Sequence, residues 1–482
     1  MLYDLIVIGS GPAGQKAALQ GARAGKRVAL VDDLPMLGGG CLHWGTMPSK
    51  SFRESVYRWS LSSRGTLGRE SEHVGRAAGR IQLPDMKRLL KRKERVVQDE
   101  AKVIREKFEA HGIRVYLGRA RFTSAHDIEV HPRASGKKGT IQNIAGSTII
   151  VATGARPVSR FPVDGKVVLD SNSILSMKRV PRSMVVLGAG IIGCEYASMF
   201  SMAGTKVFLV DRRNEILASV DREIVDHLQE RFEQQNMEIL LEADAVKITA
   251  LPAKKGAVVH LSNGRKIKAE VVLLAQGRQG NTEDMGLEAV GIQADERGLL
   301  KVDEHFRTVQ QNIYAVGDVI GSPALASTSM EQGRIAACHA FRIEDGRELY
   351  RMPEIFPYGI YTIPEVSMVG RTEEDCRSDK SLEIVVGRSQ YREVGRGQIV
   401  GDRSGLLKMI FDRKSLKILG VHIVGDNAAE LVHIGQAVMQ LGGDLYYFIN
   451  SVFNYPTLAE AYKLAAMDAL NQLRKESRGT QR

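Results

Sequence analysis

Apolar positions along the chain form two copies of one alternation, in which a strand, a glycine-rich loop and a helix lead to a second strand. The first copy covers residues 5–32 and the second covers residues 184–211. Short runs of consecutive apolar residues are typical of buried parallel strands, and the helical spacing between them predicts a crossover helix. Each copy ends at an acid, Asp32 or Asp211, at the same distance from its first glycine. Two parallel-sheet units of the same design are therefore predicted.

The two loops have the spacing of a dinucleotide-binding fingerprint. In that fingerprint the first glycine permits a tight turn, the second lets the backbone approach a pyrophosphate, and the third allows close helix–strand packing. The helix N-terminus offers unpaired N–H groups to the phosphates, and the terminal acid can accept a ribose hydroxyl. A single fingerprint is weak evidence, but two complete copies at equal spacing indicate two nucleotide sites. The glycines are Gly9, Gly11 and Gly14 in the first loop and Gly188, Gly190 and Gly193 in the second.

The C-terminal part of the chain follows a different pattern. Strand-like runs at residues 384–386, 407–411 and 418–424 come first, and helical patterns at residues 428–441 and 457–473 follow them. Strands grouped before helices, rather than alternating with them, are typical of an α+β domain. A C-terminal α+β domain is therefore predicted.

Length and composition indicate a multidomain globular protein. The chain of 482 residues is 43% hydrophobic and 26% charged, and its length suits roughly two to four domains. No stretch approaches the roughly 18 uninterrupted apolar residues needed to span a membrane, and the strand at residues 5–8 leaves no room for a signal peptide. The four cysteines show neither disulfide nor zinc spacing. We therefore expect a cytoplasmic location, no bound metal and no membrane partner.

The net charge of +11 is compatible with nucleic acid, a membrane surface or small anionic substrates as partners. The densest basic run, residues 87–95, lies on a segment whose apolar residues recur at helical spacing. That pattern is typical of an amphipathic surface helix with a solvated basic face, and no nucleic-acid-binding motif accompanies it. Nucleic acid is therefore not an expected partner.

The segment at residues 38–50, GGGCLHWGTMPSK, closely resembles the redox-active segment of the flavoprotein disulfide reductases. That family places two cysteines there with four residues between them, whereas this chain keeps Cys41 and has Thr46 at the second position. The resemblance to the class I pyridine nucleotide–disulfide oxidoreductases covers nearly the whole chain. Further matching segments lie at residues 193–198, 314–318 and 453–460.

The resemblance implies a fold class and a domain order. The fold is expected to be α/β, with two Rossmann-like dinucleotide-binding domains, one for FAD and one for NAD(P), and a C-terminal α+β dimerisation domain. A homodimer or higher homo-oligomer is implied. The expected segments are the first part of the FAD domain (1–153), the NAD(P) domain (154–280), the returning part of the FAD domain (281–348) and the dimerisation domain (349–482).

The resemblance also assigns site residues. Lys50 is expected near the flavin N5 with Glu195 as its ion-pair partner, and these two with Thr46 form the expected catalytic set. A cation near N5 can stabilise negative charge on reduced flavin, and the carboxylate offsets the burial of the lysine. Asp318 is expected to hydrogen-bond the ribityl chain of FAD. The cofactor-binding residues implied are Gly9, Gly11, Gly14, Asp32, Gly39, Gly40, Cys41, Ala120, Thr153, Gly154, Asp318 and Ala326, together with Gly188, Gly190, Gly193, Asp211, Arg212, Arg213 and Gly277.

The end of the second unit leaves the choice of nicotinamide nucleotide open. Asp211 favours the free 2′-hydroxyl of NAD(H) and repels a 2′-phosphate, whereas Arg212 and Arg213 could bind that phosphate bidentately. An enzyme that uses both nucleotides would hold both kinds of residue. An NAD site beside two solvated arginines would show the same sequence. NAD(H) and NADP(H) are both expected as substrates.

Two departures from the disulfide reductases agree with each other. Thr46 cannot form a disulfide, and Tyr455 stands where the family has an acid–base histidine from the partner subunit, although the neighbouring acid Glu460 remains. A phenol is a poor proton shuttle at neutral pH. The thiol half-reaction is thus lost and the flavin half is kept. We predict FAD-dependent, reversible hydride transfer from NADPH to NAD⁺, in ping-pong order through flavin N5 and without a redox-active disulfide.

Two other functions remain as alternatives. An NAD(P)H oxidase or quinone reductase on the same scaffold would pass the electrons to O₂ or a quinone. A non-catalytic, flavin-stabilised subunit or sensor would have lost its thiol chemistry altogether. The complete second fingerprint with Glu195 argues against the last option, because such a subunit does not need a hydride-donor site.

Overall fold

The first glycine-rich loop belongs to a seven-stranded sheet in the computed structural model, which describes residues 2–65, 83–133, 140–252, 255–343 and 351–479. Its strands are β1 (Leu2–Ile8), β2 (Val28–Asp32), β3 (Arg114–Leu117), β4 (Arg119–Phe122), β5 (Asp127–His131), β6 (Gln142–Val151) and β17 (Ile313–Ala315). They follow the order β3-β2-β1-β6-β5-β4, and β17 pairs with β6. The helices of this region are α1 (Pro12–Arg23), α2 (Gly39–His43), α3 (Thr46–Gly65), α4 (Met86–Ala110) and α7 (Ala326–Phe341).

A second parallel sheet is inserted in the chain between β6 and β17. Its strands are β8 (Val168–Asp170), β9 (Ser183–Leu187), β10 (Lys206–Val210), β11 (Met237–Leu240) and β15 (Val271–Leu274), in the order β11-β10-β9-β15-β8. The helices α5 (Ile191–Met202) and α6 (Arg222–Gln234) belong to it. An antiparallel sheet of β12 (Ala245–Ala250), β13 (Ala257–Leu261) and β14 (Lys266–Ala269) accompanies it, and the antiparallel pair β7 (Ala155–Pro157) and β16 (Arg278–Gly280) joins its two ends.

The C-terminal region is an antiparallel sheet with helices. Its strands are β18 (Tyr358–Ile360), β19 (Glu365–Gly370), β20 (Ile384–Gln390), β21 (Leu406–Asp412) and β22 (Ile418–Gly425), in the order β18-β19-β22-β21-β20. Its helices are α8 (Glu373–Ser378), α9 (Gly395–Val400), α10 (Ala428–Gln440), α11 (Leu445–Asn450) and α12 (Glu460–Gly479). The first sheet is mixed, because β4, β5 and β6 pair antiparallel while its other strands pair parallel, and the second sheet is wholly parallel. Together with the antiparallel α+β region that follows, they confirm the predicted fold class. The predicted boundary between residues 348 and 349 lies outside the described residues.

None of the helices in the described segments is both long and apolar enough to cross a lipid bilayer. The basic run at residues 87–95 lies in the N-terminal half of α4, whose side chains Met86, Leu89 and Leu90 are buried. Lys87, Arg88, Lys91, Arg92 and Arg95 are exposed, so the predicted basic face does face solvent in this chain. Across the same described ranges, no group of three or more His, Cys, Asp or Glu side chains is placed to hold a metal ion.

A buried charge cluster joins the second sheet region to the C-terminal region. The Lys408 ammonium on β21 is 1% exposed and donates to Asp221 at 2.8 Å. It also lies 3.0 Å from Glu223 and 2.7 Å from Glu373. Burial opposes the charge of Lys408, but its hydrogen bonds to these acids outweigh that cost, and the pKa of Lys408 is raised. Removal of the cation would leave the fully buried Asp221 uncompensated.

We expect Lys408→Met to lower the free energy of unfolding by about 3–5 kcal/mol, because it breaks a buried ion pair while nearly preserving side-chain volume. Urea denaturation would measure this change. The matched control is Lys102→Met, since the Lys102 ammonium is exposed and 3.7 Å from Glu106; its effect should stay within about 1 kcal/mol. Equal effects of the two substitutions would contradict the role of the cluster.

The same cluster predicts a pH dependence. Burial acts against ionisation of Glu223 and Glu373, but hydrogen bonds from Arg388, Lys408 and Arg377 hold the pKa of each carboxyl below its ordinary value of 4.5. A lowered folded-state pKa stabilises the fold above pH 4.5, and this stabilisation is lost as pH falls through the folded value. The stability difference between the wild type and Lys408→Met should therefore shrink in acid, as denaturation at a series of pH values would show.

Candidate active site

The two glycine-rich loops have the same backbone geometry. Gly9 and Gly188 adopt φ of +104° and +107°, in the left-handed region where a side chain is strained. A Cβ at Gly9 would clash with the carbonyl oxygen of Ala152, and a Cβ at Gly188 would clash with that of Ala275. The loop of each unit is thus pressed against the end of a neighbouring strand, β6 or β15, and only glycine fits there.

The other glycines of each loop divide into a packed and an open position. A Cβ at Gly14 would clash with the carbonyl of Gly9, and one at Gly193 would clash with that of Gly188, so each helix packs directly on its loop. At Gly11, by contrast, no atom of the described residues lies within 4 Å of an added Cβ, and the same holds for Gly190. The second glycine therefore faces open space, as a backbone approach to a pyrophosphate requires.

Each terminal acid is tied to its loop by a backbone hydrogen bond. The Ser10 N–H donates to Asp32 Oδ2 at 2.7 Å, and the Ala189 N–H donates to Asp211 Oδ2 at 2.6 Å. Burial raises the pKa of Asp32, although hydrogen bonds from Ser10 and Leu34 offset part of that effect. Both predicted acids are therefore held beside their glycine loops.

Asp211 differs from Asp32 because an arginine side chain engages it. The Arg213 guanidinium donates through Nε to Oδ1 at 3.0 Å and through Nη2 to Oδ2 at 2.9 Å. Burial acts to raise the pKa of Asp211, but hydrogen bonds from Arg213 and Ala189 outweigh it, and the pKa is lowered. Arg212 is exposed beside this pair. The structure thus separates two arginines that the sequence could only treat together.

A cradle forms where the loop before α2 meets the first glycine loop. The Gly38 N–H donates to Ser10 Oγ at 2.8 Å. Gly39 has φ of +60°, and a Cβ there would lie 2.7 Å from Cα of Gly11. At Gly40 the tight neighbour is the Trp44 ring, with Nε1 3.0 Å from an added Cβ. Two glycine backbones thus face each other without side chains between them.

Arg278, the first residue of β16, pairs with Asp318, and sequence reasoning missed it. Its Nη2 donates to the carbonyl of Ala155 at 2.6 Å and lies 3.4 Å from Asp318 Oδ2. Within the described ranges, its buried Nε has no hydrogen-bond partner, and neither has the buried Thr153 Oγ1. Buried polar atoms are nearly always paired, so these two atoms are available to hydrogen-bond a bound group. The available signal was the position of Arg278 directly after Gly277.

The remaining predicted cofactor residues lie on β4, at the start of α7 and beside the pair β7–β16. Ala120 on β4 is two residues after Gly118, whose N–H donates to the carbonyl of Asp32 at 2.8 Å. Ala326 begins α7, and Gln332 of that helix accepts the Gly317 N–H at 2.8 Å, next to Asp318. Gly154 and Gly277, with φ of +69° and +144°, flank the joining pair β7–β16.

Lys50 and Glu195 meet across the two nucleotide-binding regions. The Lys50 ammonium on α3 donates to Glu195 Oε1 at 2.8 Å and lies 2.7 Å from Oε2. The Glu195 side chain is 5% exposed and that of Lys50 is 26% exposed. The Tyr361 N–H also donates to Glu195 Oε1, at 2.9 Å. The predicted ion pair therefore exists, and a C-terminal residue that the sequence did not point to completes it.

The Cys41 thiol lies one helix before Lys50 and is not in a disulfide. Burial raises its pKa, while the neighbouring Thr46 side chain, the Lys50 charge and the Met47 N–H offset part of that effect. The nucleophilic form of a cysteine is the thiolate, so a raised pKa makes this thiol less reactive at neutral pH. Thr46 begins α3 at the place of the second cysteine. The pair needed for dithiol chemistry is therefore missing beside an intact ion pair.

Comparison with known proteins agrees with this geometry. Residues 3–333 match the model of the pyridine nucleotide-disulphide oxidoreductase family, and residues 356–466 match the dimerisation domain of that family. The chain belongs to this family. The resemblance inferred from the sequence is thereby confirmed, and the family is FAD-dependent and uses NAD(P)H.

Several relatives and structures are similar over nearly their full length. The soluble pyridine nucleotide transhydrogenase of Mycobacterium tuberculosis is 45% identical, over 98% of each chain, and that of Azotobacter vinelandii is 41% identical, over 98% of this chain and 99% of the relative. Among solved structures, the HOCl-induced flavoprotein disulfide reductase RclA from Escherichia coli has a TM-score of 0.85 at 28% identity, covering 96% of this chain and 99% of the other. LpdA from Mycobacterium tuberculosis has a TM-score of 0.85 at 26% identity, with coverage of 96% and 99%.

The residues present fit the FAD that this family uses. The open second glycine leaves its loop unobstructed for a pyrophosphate, and the Arg278 Nε, which has no partner among the described residues, is a cationic donor for an anionic group. Asp32 lies at the end of β2, and its carboxylate can accept a hydrogen bond from a ribose hydroxyl. The groups that the family uses to bind FAD thus have counterparts in this chain.

We expect Arg278→Met to weaken FAD binding by about tenfold or more, because it removes the charged donor whose buried Nε is left without a protein partner among the described residues. Fluorescence quenching of FAD added to apoprotein would give the dissociation constant. Arg297→Met, which removes an exposed arginine from the same region, is the matched control and should leave the constant within about twofold. An unchanged affinity in Arg278→Met would place FAD elsewhere.

Proposed function

We propose that this chain is a flavin-dependent transhydrogenase, which moves hydride from NADPH to NAD⁺ and back without a redox-active disulfide. One observation carries the proposal: the Lys50–Glu195 pair is intact while Thr46 occupies the place of the second sulfur. Relatives 41–45% identical over 98% of this chain are named soluble pyridine nucleotide transhydrogenases, which supports the same conclusion.

In this proposal, FAD supplies an N5 atom that takes up hydride and releases it. Lys50 places a cation beside that atom, where negative charge develops during hydride uptake. Glu195 fixes the ammonium through both carboxylate oxygens and balances its charge. The second glycine loop holds the pyrophosphate of the nicotinamide nucleotide at the N-terminus of α5.

The order of binding follows from the number of sites. One of the two fingerprints is assigned to FAD, so a single nicotinamide site is left for both nucleotides. NADPH must therefore deliver its hydride and leave as NADP⁺ before NAD⁺ enters and leaves as NADH. This substituted-enzyme order is a ping-pong scheme.

The protonated Cys41 thiol has no part in this proposed cycle. A disulfide would need a second sulfur at position 46, where the side chain is a threonine hydroxyl. A half-buried thiol that is neither in a disulfide nor ionised behaves largely as a small apolar group. The reducing cytoplasm that we propose for this chain suits such a thiol.

We also propose a homodimer built by the C-terminal region, which matches the family's dimerisation domain. This region exposes several large apolar side chains in the single chain, among them Tyr446, Tyr447, Val452, Leu464 and Met467. Clustered apolar exposure on one domain marks an interaction surface. Tyr455, the residue at the position of the family's histidine, is also 77% exposed there.

The decisive experiment is stopped-flow reduction of bound FAD by NADPH, followed by reoxidation with NAD⁺, O₂ or a quinone. We expect bleaching by NADPH alone, fast recovery with NAD⁺, and parallel double-reciprocal plots in the steady state, because one site serves both nucleotides. Faster recovery with O₂ or a quinone than with NAD⁺ would favour an oxidase or quinone reductase. Intersecting plots without bleaching would exclude the single-site scheme.

Two variants sharpen that experiment. Lys50→Met should slow bleaching, because it removes the cation beside the flavin and leaves a buried carboxylate unpaired. Cys41→Ser should keep most of the hydride transfer, and the wild type should reduce lipoamide or glutathione disulfide very slowly. Rapid disulfide turnover that Cys41→Ser abolishes would show that the thiol is catalytic.

The Asp211–Arg213 pair predicts the basis of nucleotide choice. We expect Arg213→Leu to weaken NADP(H) selectively, by about 1–3 kcal/mol, because it removes a phosphate ligand and uncovers a repelling carboxylate. Asp211→Asn should shift preference towards NADP(H). Dissociation constants for both nucleotides would test this, with Arg212→Leu as the adjacent comparison. Equal weakening of NAD(H) and NADP(H) in Arg213→Leu would show that the pair does not contact the 2′ position.

A further inference from the structure

The Lys50 ammonium contacts side chains from two other parts of the chain. Two of its three N–H donors are used by the Glu195 carboxylate. The Tyr361 ring, which comes from the C-terminal region, lies with its centroid 5.0 Å from Nζ. Over the part of the chain that the structure describes, no third acceptor is within hydrogen-bonding distance of Nζ. One donor is thus left for a bound group.

We propose that Tyr361 is a positioning residue for Lys50, an inference that rests on the proposed role of Lys50 beside the flavin. The face of its ring attracts the ammonium, as aromatic rings do for cations within about 6 Å. Its main-chain N–H holds the carboxylate that grips the same ammonium. Tyr361 and Glu195 therefore both restrict the position of the Lys50 ammonium. The third N–H of that ammonium, which has no acceptor among the described residues, is thereby held in a fixed orientation.

The backbone around Tyr361 is anchored independently of its ring. The carbonyl of Thr362 accepts the Arg53 Nε–H at 3.1 Å, and Glu365 pairs with Arg53 Nη1 at 3.0 Å. The Ile363 N–H donates to Ser198 Oγ on α5 at 3.2 Å. Residues 361–365 are therefore held against both α3 and α5, so that a change in the ring alone leaves the segment in place.

The same face of α3 is attached to the C-terminal region at successive turns. Lys50, Arg53 and Tyr57 lie three and four residues apart, a spacing that aligns side chains on one helix face. The Tyr57 hydroxyl donates to Asp426 Oδ2 at 2.6 Å. Helix α3 is thus held in place by contacts that do not involve the Tyr361 ring. The ring acts only on the position of the Lys50 ammonium.

The test is the midpoint potential of bound FAD, measured against reference dyes without any nicotinamide. A loosened cation stabilises the reduced flavin less, so Tyr361→Leu should make the potential more negative by about 10–30 mV, equivalent to about a twofold to tenfold change in the redox equilibrium. Reduction by NADPH should slow by about twofold to tenfold. Tyr361→Phe keeps the ring and should restore both values. Tyr358→Leu, in the adjoining strand, is the matched control and should change neither.

A double-mutant cycle separates positioning from general structure. In a Lys50→Met background, Tyr361→Leu should cause no further change in potential, because the ring then has no cation to position. An equal shift in both backgrounds, or a Tyr361→Leu potential equal to that of the wild type, would overturn the proposal. Tyr361→Met replaces Tyr361→Leu if the latter does not retain FAD. Because the dye titration needs no nicotinamide, failure of NADPH-to-NAD⁺ transfer would count against the proposed function and leave this test valid.

Discussion

The Lys50–Glu195 ion pair joins the parts of this molecule, and the geometry of the predicted flavin site depends on it. Lys50 is on α3 of the first sheet region and Glu195 is on α5 of the second. A carboxylate that is 5% exposed is costly to bury unless its charge and lone pairs are matched. Two contacts from Lys50 and one from the Tyr361 N–H provide that match. Because the groups come from three regions, the site exists only when those regions dock.

The two glycine-rich loops have the same backbone geometry. The first glycine has nearly the same φ in both loops, and each terminal acid accepts a hydrogen bond from its loop. A pyrophosphate requires the same unobstructed N–H groups in each case. The difference lies in the side chains around them. Arg278 pairs with Asp318, whereas Arg213 pairs with the acid of the second unit. The two loops thus share a backbone geometry and differ in the charged side chains that surround them.

The position of Thr46 explains how thiol chemistry can be absent while the flavin site stays intact. Thr46 and Lys50 are about one turn apart on α3, so the side chain at position 46 can change without moving the ion pair that follows. The neighbouring Cys41 is half-buried and its pKa is raised by burial, as expected for a thiol that packs rather than reacts. A single side chain thus decides whether the scaffold has two sulfurs beside its flavin.

The sequence by itself determined the two strand–loop–helix–strand units, the C-terminal α+β pattern and the identity of the loop glycines, because apolar periodicity and turn chemistry are local. Family resemblance paired Lys50 with Glu195 and marked Thr46. Only the tertiary structure brought in Arg278, Tyr361 and the buried Lys408 cluster, and only it tied Arg213 to Asp211. Tyr361 and Glu195 are 166 positions apart, and Arg53 and Thr362 are 309 apart. Such contacts are decided by how the sheet regions pack against one another, and no local pattern in the chain specifies that packing.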